Sequence, residues 1–138
     1  MAKIIEIILT LISGFCGYFL GGVDGMLYAL LIVMICDYIT GCLVALANKN
    51  ISSEIGFKGI AKKAVIIGLI GVSNLVDVYV MGEGAAIRTA TLTFFFINEC
   101  ISILENAGNL GVPLPKKLKS VLQQIKSKEI DENEDKGN

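Results

Sequence analysis

Residues 26–47 read MLYALLIVMICDYITGCLVALA, a run of 22 residues with one charged member, Asp37. At about 1.5 Å of rise per residue, a helix of that length spans about 33 Å, close to the hydrocarbon thickness of a bilayer. A helix buried in a soluble domain shows a polar face every 3.6 residues, and this stretch shows none. Three more runs of the same kind flank it, at 4–23, 64–81 and 85–104, with 20, 18 and 20 residues. The expected fold class is an all-α membrane protein with four transmembrane helices at about those bounds. Three crossings are the alternative, because the first run holds Glu6 together with Gly14, Gly17, Gly21 and Gly22.

The whole chain agrees. Its 138 residues are 54 % apolar and 18 % charged, with a mean hydropathy of +0.68, and so small a globule has too little interior to hide that much apolar surface. Net charge is −1, which offers no basic field for nucleic acid. Histidine is absent, and Cys16, Cys36, Cys42 and Cys100 all lie inside the runs without a C-x-x-C pair. They read as small apolar fillers, and no zinc site is expected. The glycine-rich stretch Gly14 to Gly25 lacks the G-K-[ST] ending of a phosphate loop, and no serine or cysteine has a base to activate it. No catalytic residue, metal or cofactor is expected, and the chain does not read as an enzyme.

Lys3 ahead of Ile4 to Ile12 resembles the start of a signal peptide, but no small-residue cleavage site follows, so the first run is read as retained. The lysines set the orientation. The connection 48–63 carries Lys49, Lys58, Lys62 and Lys63 against Glu54 alone, and Lys116, Lys117, Lys119, Lys126 and Lys128 follow the fourth run. The short turns near Gly22 to Gly25 and Gly82 to Gly84 hold only Asp24 and Glu83. The positive-inside rule then predicts both termini and the 48–63 connection in the cytoplasm.

Residues 1–104 thus form the expected transmembrane helical domain. Residues 105–128 read as a Gly/Pro connection followed by a basic amphipathic helix that begins at Pro115 and carries Leu118, Val121, Leu122 and Ile125 on one face. Such a helix suits either an anionic leaflet or contact between subunits. Residues 129–138, with five acids and one lysine, read as an acidic tail without its own structure.

Charged groups inside hydrocarbon cost several kcal/mol and mark candidate functional positions. Asp37 is the twelfth residue of its run and Glu99 the fifteenth of the fourth, with Asn98 beside it and Asn74 midway along the third. Asp37, Asn74, Asn98 and Glu99 are therefore expected to share one polar layer. Two roles stay open: hydrogen bonding between helices, or lining a water-filled path. Asp77 and Arg88 flank the turn between the third and fourth runs and are expected to form an outer ion pair, unless Arg88 snorkels to the headgroups instead. Gly17, Gly21 and Gly25 recur every fourth residue, Gly41 precedes Ala45 by four, and Gly68 follows Ala64 by four, so these small residues are expected to allow close helix packing, within or between subunits.

Two stretches resemble a known family. One is Asp37-Tyr38-Ile39-Thr40-Gly41 with Ala45, then Ser52-Ser53, Gly56, Gly59 and Lys62-Lys63. The other is Arg88, Asn98-Glu99-Cys100-Ile101-Ser102-Ile103-Leu104-Glu105-Asn106, and Gly111-Val112-Pro113-Leu114-Pro115. Together, over about residues 26–122, they look like the toxin-secretion/phage-lysis holins (bacteriophage holin family 4) of Gram-positive bacteria and their phages, which include clostridial toxin-secretion holins. The resemblance implies a homo-oligomer in the bacterial cytoplasmic membrane that opens lesions at a set time. Endolysin, or a secreted toxin, would escape through them without stable contact, and the lipid bilayer is the other partner. An antiholin, or a non-lytic small channel or scaffold, shares the same architecture and is the alternative.

Overall fold

The structure is a computed structural model that describes residues 1–118 together with 120, 121 and 124. Among the described residues the chain is all-helical. Helix α1 covers Ala2–Leu20, α2 Gly25–Ala47, α3 Ser53–Leu75 and α4 Ala86–Asn109, and α3 continues without a break into a π-helical segment, Val76–Met81. Each of the four is long and apolar enough to cross a membrane.

The ends follow local chemistry. Gly21, at φ 78°, closes α1, and the Gly22 N–H returns to the Gly17 carbonyl at 2.7 Å, the left-handed cap that glycine permits. The Asp24 carboxylate accepts the Leu27 N–H at 2.9 Å and starts α2. Ser52 starts α3 by accepting the Ile55 N–H at 3.1 Å. Helix α4 begins at Ala86, its N-cap residue Ala85 has no side chain to cap it, and Asp77 supplies the cap from the π segment, accepting the Ile87 and Arg88 N–H groups at 3.0 and 2.8 Å.

The core lies between α2, α3 and α4, where Leu27, Leu30 and Met34 meet Ile66, Ile70 and Leu92. Helix α1 buries none of its residues and rests on α3 near its C-terminal end, where the Phe19 ring fills the space left by Gly71. Ile32, Ile35, Val65, Leu69 and Val72 point outward, as lipid-facing positions do.

Three boundaries differ from those read in the sequence. Helix α3 starts at Ser53 with Ser52 as its cap, so residues 53–63 of the connection are its first three turns and run unbroken into the third apolar run. Counted through Met81 it has 29 residues, about 43 Å, some 13 Å more than the hydrocarbon core requires. Helix α4 runs on through Glu105-Asn106 to Asn109, because Asn106 is held by α2 and the first residue that needs a left-handed backbone is Gly111, at φ 84°. Helix α1 stops at Leu20, since Gly21 and Gly22 both take positive φ. After Pro115 the described residues 116–118, 120, 121 and 124 are helical, with the Leu118 N–H donating to the Pro115 carbonyl at 2.9 Å. Leu122, Ile125 and the acidic tail 129–138 lie outside the described residues.

Candidate functional site

An ionic cluster sits inside the helix bundle. The Lys63 ammonium, from α3, donates to Asp37 Oδ2 of α2 at 2.7 Å and also to Glu99 Oε2 of α4. Glu99 is almost fully buried, and the Asp37 and Lys63 side chains are about one-sixth exposed. Asn106, two turns beyond Glu99, donates to Asp37 Oδ1 at 3.3 Å and to Thr40 Oγ1 at 3.0 Å. Glu99 and Asn106 stand seven residues apart and so share one face of α4; Asp37 and Thr40, three apart, share one face of α2. The ammonium therefore ties three helices through two carboxylates of opposite charge to its own. Such a cluster is retained only while every member is paired, because an orphaned charge in a low-dielectric interior costs several kcal/mol.

Beside the cluster a cavity of about 460 Å³ opens between α2, the first turns of α3 and α4. Asp37 and Lys63 form part of its floor, and Ser102 and Asn106 one side. Tyr38 lies across it against α3, where Gly56 and Gly59 leave room for the ring; a Cβ on Gly59 would stand 3.4 Å from the ring carbon Cε2. Both stretches that carry the family resemblance converge on this cavity.

A second cluster ties the opposite end. Arg88 donates to Asp24 Oδ2 at 2.6 Å, to the Leu20 carbonyl at 2.5 Å and to the Gly22 carbonyl at 3.0 Å. Asn74 donates to the Tyr18 and Phe19 carbonyls at 3.2 and 3.1 Å. One arginine and one asparagine thus satisfy the free carbonyls at the end of α1. Gly21 lies tight against Asn74 and Arg88, with no room for a side chain. The Arg88 guanidinium and the Leu27 N–H hold the Asp24 carboxyl below its ordinary range.

The expected single polar layer therefore divides in two. Asp37 and Glu99 meet at Lys63. Asn74 does not join them: it lies eleven residues along α3 from Lys63, about 16 Å, and serves the α1 end. Asn98 is half-buried beside a smaller cavity on the outer side of Glu99, along with Lys62 and Glu105. The expected Asp77–Arg88 side-chain pair does not form. The π segment turns Asp77 onto the backbone N–H groups of α4, and the guanidinium pairs with Asp24 instead. Of the small residues, Gly21 packs closely within the chain and Gly41 lies 3.8 Å from Asn106 by its would-be Cβ, whereas Gly17, Gly25 and Gly68 face open space. Lys63 was the residue missed. Its signal was present: two carboxylates inside apolar runs require a cation, and Lys63 adjoins the start of the third run.

Residues 14–127 match the family model described as bacteriophage holin family. An uncharacterized protein of Listeria innocua is 38 % identical over 133 residues, which cover 94 % of each chain. An uncharacterized 14.9 kDa protein of Clostridium perfringens is 39 % identical over 78 % of this chain and 82 % of its own. An uncharacterized protein of Bacillus subtilis is 30 % identical over 81 % of this chain and 83 % of its own. No solved structure matches.

Proposed function

The chain belongs to the bacteriophage holin family, and from that premise we propose that it oligomerises in the bacterial cytoplasmic membrane and opens lesions at a set time. Endolysin, or a toxin, escapes through them. The family is a class of membrane proteins without enzymatic chemistry, and four apolar helices make this member multi-pass. The observation that supports a lesion-former is the Asp37–Lys63–Glu99 cluster. A bundle of this size has no need of three charged side chains for stability, since apolar residues of similar volume serve as well. Three charges held together inside one subunit are, however, a ready lining for water once subunits rearrange around a common space.

Lysines favour both termini and the 48–52 connection on the cytoplasmic side. Lys49, Lys58, Lys116 and Lys117 lie at that end, while Arg88 at the other is committed to Asp24 and to carbonyls. In the resting subunit the cluster is closed. Crowding brings subunits together over their apolar and small-residue surfaces, and the cluster turns toward the growing lumen. Collapse of the membrane potential assists any step that moves charge, by about 2.3 kcal/mol per charge per 100 mV.

The test is a timed lysis assay. The chain is expressed in bacteria that hold a cytoplasmic endolysin without an export signal, while turbidity and membrane potential are followed. Abrupt depolarisation and lysis after a delay is the expected result. Continued growth, with the protein present in the membrane, overturns it and leaves an antiholin, a scaffold or a narrow channel.

A further inference from the structure

The cavity beside the ionic cluster has a chemistry of its own. It lies where the surplus length of α3 emerges from the hydrocarbon: Lys62 is nineteen residues from Met81, about 28 Å, so the turns before it stand at headgroup depth. The cavity wall is mixed. Ile51, Ile55 and Tyr38 give it apolar surface, and Ser52, Ser53 and Ser102 give it hydroxyls. Three charged side chains line it. Asp37 pairs with Lys63 across 2.7 Å, with Glu99 on the same ammonium, and Lys62 presents a further positive charge on an exposed side chain. A volume of about 460 Å³ falls at the lower end of small-ligand sites, roughly 300–1,000 Å³. That accommodates a glycerophosphate headgroup and leaves no room for its acyl chains.

We propose that this cavity seats the headgroup of an anionic phospholipid from the adjoining leaflet, its phosphate against Lys62, its hydroxyls against Ser53 and Ser102, and its acyl chains left in the bilayer. A lysine at headgroup depth attracts anionic headgroups, and hydroxyls beside it add hydrogen bonds. The site holds whether or not the chain lyses cells, because it depends only on the bundle and its surrounding bilayer. A free phosphate or a soluble phosphate ester shares the chemistry but lacks the acyl chains that would keep it at the cavity mouth.

Native mass spectrometry of the full chain, released from neutral detergent micelles, tests it. The added probes are phosphatidylglycerol, phosphatidylcholine with the same acyl chains, and inorganic phosphate. Wild type should retain phosphatidylglycerol in preference to phosphatidylcholine. Lys62→Gln should reduce that retention about fivefold, the effect of one lysine near an anionic surface. Lys49→Gln, which alters a lysine of the 48–52 connection outside the cavity, should leave it unchanged. Gly59→Leu, which fills the cavity, should abolish it. If Gly59→Leu loses its helical signal, Lys62→Gln, at an exposed position, still decides. Equal retention of the two lipids, equal loss in Lys62→Gln and Lys49→Gln, or displacement of the lipid by millimolar inorganic phosphate overturns the proposal.

Discussion

Lys63 and Asp37 are 26 residues apart in sequence and on different helices, yet the ammonium lies 2.7 Å from the carboxylate, with Glu99 of a third helix on the same ammonium. Removing the cation alone leaves two carboxylates facing each other in a low-dielectric interior. Lys63→Met is therefore expected to lower stability in detergent by about 3–5 kcal/mol, the typical effect of orphaning a buried ionic partner. The triple variant Lys63→Met, Asp37→Asn, Glu99→Gln should recover most of that loss. Thermal unfolding followed by circular dichroism checks both.

The same cluster has a functional prediction distinct from its structural one. Asp37→Leu and Glu99→Leu should each change the time of lysis in the assay above at equal membrane levels of protein. If both variants lyse on the wild-type schedule, the cluster only holds helices together.

Gly21 is held at φ 78° with Asn74 and Arg88 packed against it. Gly21→Ala should destabilise by about 1–2 kcal/mol from the backbone alone, with further loss from the displaced side chains. Faster proteolysis within 1–24 in micelles is the readout. Gly17→Ala and Gly68→Ala meet open space and should stay within about 0.5 kcal/mol of wild type. Any effect of these two on crosslinked oligomers then reports contact between subunits.

Asp24 links α2, through the Leu27 N–H, to Arg88. Its pKa in the folded protein is depressed below the ordinary 3.8, so the linked stability is complete above that value. It is lost as pH falls through the lower, folded value. Unfolding temperature should therefore drop between about pH 4 and the acid limit, and Asp24→Asn should flatten that part of the profile. An unchanged acid profile in Asp24→Asn would rule the carboxylate out as its source.

Much of this architecture was legible because lipid demands long unbroken apolar runs, and nothing else in a chain of this size produces them. What was not legible has particular causes. Lys63 beside an apolar run reads as an interfacial anchor, and only the fold reveals the carboxylates within its reach. Counting along the third run gives the depth of Asn74 only if all helices start at one level, and α3 starts three turns early. The partner of Arg88 is hidden in the sequence because the π segment re-aims Asp77, and hydrogen bonds that span one residue more than in an α-helix leave no mark in composition. The α4 motif from Asn98 to Asn106 was recognised as a pattern. Its meaning, Glu99 and Asn106 on the face that meets Lys63 and Asp37, needed the neighbouring helices.

The two ends of the bundle are unequal in bulk. One end is drawn tight by the 21–24 and 82–85 turns and the Arg88 cluster. The other carries the surplus turns of α3, the cavity and the chain beyond Gly111. The Lys63 cluster lies at the second end and the Arg88 cluster at the first, so each end of the bundle is pinned by its own charges, and a change that unpairs one leaves the hydrogen bonds of the other in place.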